Sequence, residues 1–237
     1  MAEIAAHHPV SIQVALWKAR QAGWTVVQGN LIEVAQELRN AADQSGGSKP
    51  VAQIVRPRKS DDDVQVLRPM TAEEARSRSL SAKYGNSRFP FHTDGAHLKS
   101  PPDFLLLAAK NVGREAVQTH VVRFPVPHPA VQTAEDLRLG VFRVDAGTTG
   151  FYTVSQFADK LSESCIRFDP GCMNPIDPRS RRLTHSITSS EPDYSHSWTR
   201  TDEILIIDNH HVLHSRDDAA HAPDREILRL VLSDMSV

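Results

Sequence analysis

Two short strings of the sequence carry side chains that bind metals. The first is Phe91-His92-Thr93-Asp94-Gly95. In an extended segment, residues i and i+2 project to the same face, so His92 and Asp94 can bind one ion together. Asp-Gly is also a common turn dipeptide, and a His-x-Asp triplet arises readily by chance in a chain with 12 histidines. By itself, this string is a weak indication of a metal site.

The second string runs from Ile204 to Arg216 and reads ILIIDNHHVLHSR. An apolar strand ends at an Asp-Asn turn, and three histidines follow. If this segment is extended, His210 and His214 share a face and His211 points away. His210 lies at the turn, where side chains tend towards solvent, whereas His214 follows an apolar pair. We therefore expect His214, ahead of His210, to be the distal ligand.

Two histidines and one carboxylate form a facial triad, which leaves three positions of an octahedral metal open. This arrangement is typical of non-haem Fe(II) oxygenases. A structural zinc site is instead closed by four ligands, usually with thiolates, and Cys165 and Cys172 lack the paired spacing for one. A zinc-dependent hydrolase that uses the same ligands with a metal-bound water is an alternative enzyme class.

Arg225 and Arg229 lie four residues apart. Arg225 precedes the predicted strand Ile227 to Leu232, and Arg229 lies within it. In a strand they share a face and point inward or outward together. An inward arginine needs an anion, and the planar guanidinium matches the carboxylate of a dicarboxylate co-substrate. The alternative is an exposed edge strand with two solvated arginines.

The elements that position these residues are helical first and stranded afterwards. Helical spacing covers Ile12 to Ala19 and Leu31 to Ala41, and a capping box at Thr71 and Glu74 predicts a further short helix. Seven short apolar runs predict strands: Val51–Val55, Phe104–Leu107, His120–Arg123, Val141–Val144, Phe151–Val154, Ile204–Ile207 and Ile227–Leu232. This order predicts a mainly β protein with flanking helices and a double-stranded β-helix (jelly-roll) core. We expect one domain, with a helical buttress over residues 1–79 and the core over 80–237.

The composition excludes several classes of protein. The chain has 237 residues, 27 basic and 29 acidic, with a formal net charge of -2, so neither nucleic acid nor a membrane is expected as a partner. Two cysteines cannot build a disulfide framework, and residues 1–10 do not read as a signal peptide. These features predict a cytoplasmic protein. The acidic run from Asp61 to Asp63 is interpreted as a solvated loop.

Taken together, the motifs resemble those of the taurine dioxygenase, gamma-butyrobetaine hydroxylase and clavaminate synthase-like oxygenases. FPFHTDGAH is similar to the proximal metal motif of this family, and DNHHVLHSR to its distal motif. The family places arginines 11 and 15 residues beyond the distal histidine, where Arg225 and Arg229 stand. It also places a threonine about 27 residues after the first histidine, where Thr119 stands. The likeness extends from about Leu80 to Leu232.

The resemblance implies that His92, Asp94 and His214 ligate Fe(II), with 2-oxoglutarate and O2 as co-substrates. The implied reaction couples decarboxylation of 2-oxoglutarate to succinate with hydroxylation of an unactivated C–H bond of a small molecule. An amino acid or a natural-product intermediate is the expected substrate. Halogenating relatives have a small residue in place of the carboxylate, so Asp94 favours hydroxylation. A non-catalytic jelly-roll binding protein is the remaining alternative, and an intact triad counts against it.

The resemblance also implies a co-substrate site. Arg229 and Thr119 are expected to hold the distal carboxylate of 2-oxoglutarate, and Arg225 is expected near the end that chelates the metal. The segment Leu80 to Gly85, with Ser81, is expected to line the pocket. The chain departs from the family in the distal motif, where histidines stand in place of two arginines. The segment from Arg167 to Gly171 resembles a string in some members, without an implied role.

Overall fold

The computed structural model describes residues 11–44, 51–56, 60–77, 79–123, 133–146, 149–158 and 164–235. The helices are α1 (Ile12–Ala22), α2 (Leu31–Gln44), α3 (Leu80–Tyr84), α4 (Thr133–Leu139) and α5 (Pro178–Thr188). The first eight strands are β1 (Trp24–Gln28), β2 (Ala52–Ile54), β3 (Val64–Leu67), β4 (Phe89–His92), β5 (Phe104–Asn111), β6 (Thr119–Arg123), β7 (Val141–Ala146) and β8 (Thr149–Val154). The others are β9 (Gln156–Ala158), β10 (Ser164–Ile166), β11 (Met173–Pro175), β12 (Tyr194–His196), β13 (Glu203–Asp208), β14 (Val212–Arg216) and β15 (Glu226–Asp234).

Two antiparallel sheets form the centre of the molecule. The larger sheet has the order β1-β13-β5-β15-β2, with β3 also paired to β15. The smaller sheet has the order β12-β6-β14-β4. A three-stranded sheet, β11-β7-β8, and the pair β9-β10 lie outside these two. Strands that are far apart in sequence are neighbours in both sheets, so the two metal-binding strings meet although more than a hundred residues separate them.

Strand β5 explains how the larger sheet is covered on both faces. Its residues from Phe104 to Ala109 are all buried. Phe104, Leu106 and Ala108 belong to the cluster that packs against α1 and α2, whereas Leu105 and Leu107 belong to the cluster on the inner face. A strand buried on both faces reads as a continuous apolar run, which is why this run is so clear in the sequence.

The amino-terminal part of the chain is helical only in part. The predicted helices α1 and α2 are present, and Asn30 Oδ1 caps α2 by accepting from the backbone N–H of Ile32 at 2.9 Å. The same region also supplies β1, β2 and β3 to the larger sheet. These strands are short and half exposed, so their sequences carry little apolar alternation. The sequence predicts one strand here, Val51–Val55, and the structure adds β1 and β3, so this region supplies strands to the larger sheet as well as helices.

The capping box at Thr71 forms, but it opens a turn and not a helix. Glu74 accepts from the backbone N–H of Thr71 at 3.0 Å, and Thr71 Oγ1 accepts from that of Glu74 at 3.4 Å. Helix α3 begins later, after Ser79, whose hydroxyl accepts from the N–H of Ala82 at 3.2 Å. The residues after Thr71 are mostly polar, so no apolar face packs there to extend the first turn.

All seven predicted strands are present. Two predicted loops, Ser45–Ser48 and Phe124–Pro129, lie outside the described residues. The acidic run is not simply solvated, because Arg39 binds Asp63 at 3.0 Å and Arg76 binds Asp61 at 3.1 Å. The side chains of Asp61 and Asp63 are each less than a tenth exposed. No helix in the described part of the chain has the length and apolarity to span a bilayer.

Candidate active site

The structure brings together the three residues that the sequence proposed as metal ligands. His92 ends β4 and His214 lies in β14, where the two residues are direct partners in the smaller sheet. Asp94 follows in the turn after β4. Its Oδ1 lies 3.8 Å from His92 Nε2 and 3.7 Å from His214 Nε2. One ligand atom from each residue lies within 4.8 Å of the other two.

The protonation states of these groups suit a divalent cation. His92 Nδ1 donates to the carbonyl oxygen of Pro90 at 3.0 Å, which leaves the Nε2 lone pair for a metal. Burial, helped by the neighbouring His92, lowers the pKa of His214 to about 3, so its imidazole is neutral. Burial alone would raise the pKa of Asp94, but Arg229 and the two histidines bring it below its ordinary value. The set therefore includes the neutral imidazole of His214 and the carboxylate of Asp94.

The two other histidines of the distal string do not reach this cluster. His210 is buried, and its Nε2 donates to the carbonyl oxygen of Pro101 at 3.1 Å. His211 is partly exposed and binds Asp208 Oδ2 through Nδ1 at 2.9 Å. Both lie in a turn, since β14 begins only after His211. The strand alternation assumed for the whole string is therefore wrong before β14, and His210 points into the protein rather than towards solvent.

Asn209 fixes the backbone of the Asp94 turn. Its Oδ1 accepts from the N–H of Asp94 at 2.8 Å, and its Nδ2 donates to the carbonyl oxygens of Asp94 and Pro102, both at 2.9 Å. The side chain is fully buried, so these bonds replace hydration entirely. The sequence marked Asn209 only as part of a turn. Its partners are distant in the chain, so nothing local in the sequence shows this contact.

The segment from Arg167 to Gly171 braces the same turn from the other side. The N–H of Thr93 donates to the carbonyl oxygen of Phe168 at 2.7 Å, and the N–H of Phe168 donates to Thr93 Oγ1 at 3.1 Å. The buried Arg167 guanidinium donates to the carbonyl oxygens of Leu98 and Lys99, at 3.0 and 3.1 Å. The structure therefore gives this segment a supporting place beside the candidate ligands.

A cavity of about 620 Å³ opens onto the three candidate ligands. The residues that the resemblance implied for the co-substrate all line it: Ser81, Thr119, Arg225 and Arg229. Its volume lies in the range that small-molecule sites occupy.

The two arginines hold different positions in this cavity. Arg229 Nη1 donates to Asp94 Oδ2 at 2.9 Å, and its Nε donates to Gln65 Oε1 at 3.1 Å. Arg225 is almost fully buried, and its Nε has no hydrogen-bond partner. Burial, together with the nearby Arg216, lowers the pKa of Arg225 to about 10. Arg229 is therefore the arginine of this pair that contacts Asp94.

A break in strand β15 accounts for the different positions of Arg225 and Arg229. Arg225 precedes β15, and the pairing of β15 with β5 shifts between Glu226 and Ile227. Such a bulge ends the simple alternation of faces. Arg229 lies beyond the shift, on the inner face with Ile227 and Val231, which line the cavity with it.

Thr119 and Arg216 complete the end of the cavity where Arg225 lies. Thr119 begins β6 opposite Arg216 of β14, and its Oγ1 accepts from Trp198 Nε1 at 3.0 Å. Burial lowers the pKa of Arg216 to about 10, and its guanidinium lies 3.8 Å from the centre of the Phe89 ring. Two largely buried cations beside a hydroxyl form a site that favours an anion.

No family profile and no curated protein sequence matches the chain. Solved structures do match it. Asparagine oxygenase in complex with Fe(II), 2S,3S-3-hydroxyasparagine and succinate aligns with a TM-score of 0.65 and 17% identity over 95% of this chain and 80% of that one. PvcB from Pseudomonas aeruginosa, described elsewhere as an Fe, alpha-ketoglutarate dependent oxygenase from an isonitrile synthetic pathway, aligns at 0.60 and 19% over 92% and 79%.

The non-haem iron oxygenase OrfP, in complex with Fe, succinate and (3S)-hydroxy-L-Arg, aligns with a TM-score of 0.62 and 17% identity over 94% of this chain and 79% of that one. Likeness at such low identity establishes architecture. The predicted mainly β class and jelly-roll core are confirmed, and this chain has the fold of these non-haem iron oxygenases.

Proposed function

We propose that this protein is an Fe(II)- and 2-oxoglutarate-dependent oxygenase that hydroxylates an unactivated C–H bond of a small molecule. The observation that carries the proposal is the convergence of His92, Asp94 and His214 at a cavity that also contains a buried, incompletely paired arginine. Among the described residues, no fourth histidine, cysteine or carboxylate joins the cluster. The donor set therefore leaves coordination positions open, as an oxygenase requires and a structural zinc site does not.

The cavity also offers a place for each end of 2-oxoglutarate. Arg225, Thr119 and Arg216 would hold the carboxylate farther from the metal, because they supply one buried cation, one half-buried cation and a hydroxyl at one end. Arg229 would orient Asp94 through their 2.9 Å contact, leaving Asp94 Oδ1 directed at the histidines. When bound, Fe(II) supplies O2 activation coupled to decarboxylation of 2-oxoglutarate to succinate.

An amino acid, or a pathway intermediate derived from one, is the substrate class that we propose. The matching structures contain hydroxyasparagine and hydroxyarginine, and PvcB belongs to an isonitrile synthetic pathway. The charged groups that line the cavity of this protein suit a small charged molecule. We also propose a cytoplasmic location, which the presence of only two cysteines, too few for a disulfide framework, favours.

The test begins with the anaerobic titration of Fe(II) into the protein with 2-oxoglutarate. We expect the metal-to-ligand absorption band of the chelated complex, and succinate after O2 is admitted with a panel of amino acids. His214→Ala should lose both signals. His211→Ala is the matched control, because His211 binds Asp208 outside the cluster, and it should keep both.

Other outcomes would separate the rival functions. A non-catalytic binding protein would retain 2-oxoglutarate without forming succinate. A zinc hydrolase would show hydrolysis with zinc and no need for 2-oxoglutarate. If His214→Ala keeps the absorption band, the proposed ligand set is incorrect.

A further inference from the structure

A string of aromatic rings closes the gap between the edge strands β1 and β12. The rings of Trp198 and His196 lie 4.3 Å apart between centroids, and those of His196 and Tyr194 lie 6.2 Å apart. Tyr194 stacks on Trp24 at 5.7 Å with an interplanar angle of 14°. The guanidinium of Arg123 lies 4.7 Å from the centre of the Trp24 ring. We call Trp198, His196, Tyr194 and Trp24 the aromatic string.

The inner end of the aromatic string touches the candidate active site. Trp198 donates to Thr119, which lines the cavity. Tyr194 is the direct partner of Val121, and Val121 is the direct partner of His214. Direct partners in an antiparallel sheet share a face, so Tyr194 and His214 lie on the same face, about 10 Å apart at ordinary strand spacing.

The outer end of the string reaches the surface. Trp198 is buried, whereas Tyr194 and Trp24 are half-buried. The rings therefore lead, in short steps, from the cavity wall to solvent. Tryptophan and tyrosine are the side chains whose rings lose one electron most readily, and electron transfer between rings is fast at these separations.

Tyr194 also has an acceptor for its proton. Its hydroxyl lies 3.1 Å from His196 Nδ1, and His196 Nε2 lies 3.8 Å from a carboxylate oxygen of Glu203. The negative charge of Glu203 favours the imidazole proton on Nε2 electrostatically, although 3.8 Å is too long for a hydrogen bond, and Nδ1 then accepts from the phenol. Burial lowers the pKa of His196, although Glu203 raises it, and burial raises the pKa of Tyr194. A protonated phenol thus faces a neutral imidazole.

We propose that the aromatic string carries an oxidising equivalent from the active site to the protein surface when O2 is activated without a substrate C–H bond. This inference rests on the proposed function. The oxidant would be the active centre, which stands two electrons above its Fe(II) state after 2-oxoglutarate and O2 react; each passage along the aromatic string supplies one electron, with one proton taken from solvent, and two passages release the remaining oxygen atom as water. Tyr194 supplies that electron directly or through Trp198. The phenolic O–H bond of Tyr194 breaks, its proton forms an N–H bond at His196 Nδ1, and a neutral tyrosyl radical remains.

The second step returns Tyr194 to its resting state. Trp24 gives an electron to the tyrosyl radical across their stacked rings, and the proton returns from His196 to the phenol. A soluble thiol or ascorbate then reduces the oxidised Trp24 at the surface. The route spares the metal ligands, because the oxidising equivalent leaves the cavity before it attacks an imidazole.

Electron paramagnetic resonance of the holoenzyme tests this route. The protein is mixed with Fe(II), 2-oxoglutarate and O2 without a prime substrate and frozen during turnover. The chain has three tyrosines: Tyr84, Tyr152 and Tyr194. We expect a tyrosyl radical signal that Tyr194→Phe abolishes and Tyr152→Phe retains, since Tyr152 is exposed and outside the string. His196→Gln should diminish the signal while the phenol is intact.

Succinate is measured in the same samples, so two failures can be told apart. Absence of succinate would overturn the proposed function, and the route with it. Succinate with no tyrosyl radical, or with a radical that persists in Tyr194→Phe, would overturn the route alone.

Peptide mass spectrometry after prolonged uncoupled turnover gives a second readout. Wild type should gain oxygen at Trp24, and Tyr194→Phe should gain it at Trp198 or at the metal ligands instead. Trp17, an exposed tryptophan outside the string, is the control and should stay unchanged in both proteins. Equal oxidation of Trp24 in wild type and Tyr194→Phe would contradict the route.

Discussion

At the scale of single residues, Asp94 uses its two oxygens differently. Oδ1 faces both histidines, and Oδ2 accepts from Arg229. A change at this position therefore removes a proposed ligand atom and leaves the Arg229 guanidinium without its carboxylate. The same carboxylate contacts the histidines and Arg229. Neither the His-x-Asp triplet nor the arginine by itself shows this link in the sequence.

We predict that Asp94→Ala abolishes succinate formation and the anaerobic absorption band with Fe(II) and 2-oxoglutarate. The physical reason is loss of one of three protein ligands and of the negative charge that offsets the cation. Asp145→Ala is the control, because Asp145 is a half-exposed carboxylate paired with Arg143, and it should behave as wild type. Turnover near the wild-type rate in Asp94→Ala would remove Asp94 from the site.

The two arginines give a second prediction at this scale. Arg225→Ala should raise KM for 2-oxoglutarate at least about tenfold, because loss of one side of a buried arginine–carboxylate contact costs about 2–5 kcal/mol. Arg229→Ala should weaken Fe(II) binding more than Arg225→Ala does, because Arg229 contacts Asp94. Both are measured by steady-state titration of 2-oxoglutarate and anaerobic titration of Fe(II). If Arg229→Ala instead raises KM for 2-oxoglutarate and Arg225→Ala weakens Fe(II) binding, Arg229 would be the residue that binds the far carboxylate of 2-oxoglutarate.

At the scale of elements, the turn between β13 and β14 ties the two metal-binding strings together. The middle of β14 supplies His214, and the turn supplies Asn209, which binds the backbone N–H and the carbonyl oxygen of Asp94. The distal string therefore contributes one candidate ligand and also positions another. His214 and Asn209 therefore come from one strand of the smaller sheet and the turn that precedes it.

We predict that Asn209→Ala weakens Fe(II) binding and lowers the free energy of unfolding by about 1–3 kcal/mol, since buried backbone groups lose their partners. Fe(II) titration and urea unfolding of the metal-free protein measure the two effects. Asn174→Ala is the control, because Asn174 on β11 binds Asp145 away from the site. An unchanged Fe(II) titration in Asn209→Ala would show that Asp94 keeps its position without the hydrogen bonds of Asn209.

At the scale of the whole molecule, Arg20 joins α1 to the end of the larger sheet. Its guanidinium lies 3.2 Å from Asp103, 3.1 Å from Asp208 and 3.6 Å from Asp234. These carboxylates come from three separate parts of the chain. One cation on the amino-terminal helix thus offsets the mutual repulsion of three acidic groups beneath it.

We predict that Arg20→Met lowers the free energy of unfolding at neutral pH by about 3–5 kcal/mol, the usual effect of removing one partner from a buried ion cluster. Urea unfolding at neutral pH measures this effect. Arg200→Met is the control, since its pair with Asp202 is exposed and contributes little to stability. Equal losses in the two variants would refute the cluster's role.

The sequence by itself determined seven of the fifteen strands in the described residues, two of the helices and the residue types of the candidate site. Strand runs such as Phe104–Leu107 are readable because burial on both faces demands continuous apolar residues. The spacing of His92 and Asp94, and the place of His214 after an apolar pair, are local properties of the chain. Local properties are what single-sequence reasoning can use.

Only the tertiary structure decided which groups meet. The turn that ends before β14 sends His210 into the protein and excludes it from the cluster, and the bulge before Ile227 places Arg229 beside Asp94. The side chain of Asn209 binds the backbone of Asp94, which lies more than a hundred residues away in the sequence. Such contacts depend on how distant strands register against one another, which no local pattern of side chains encodes.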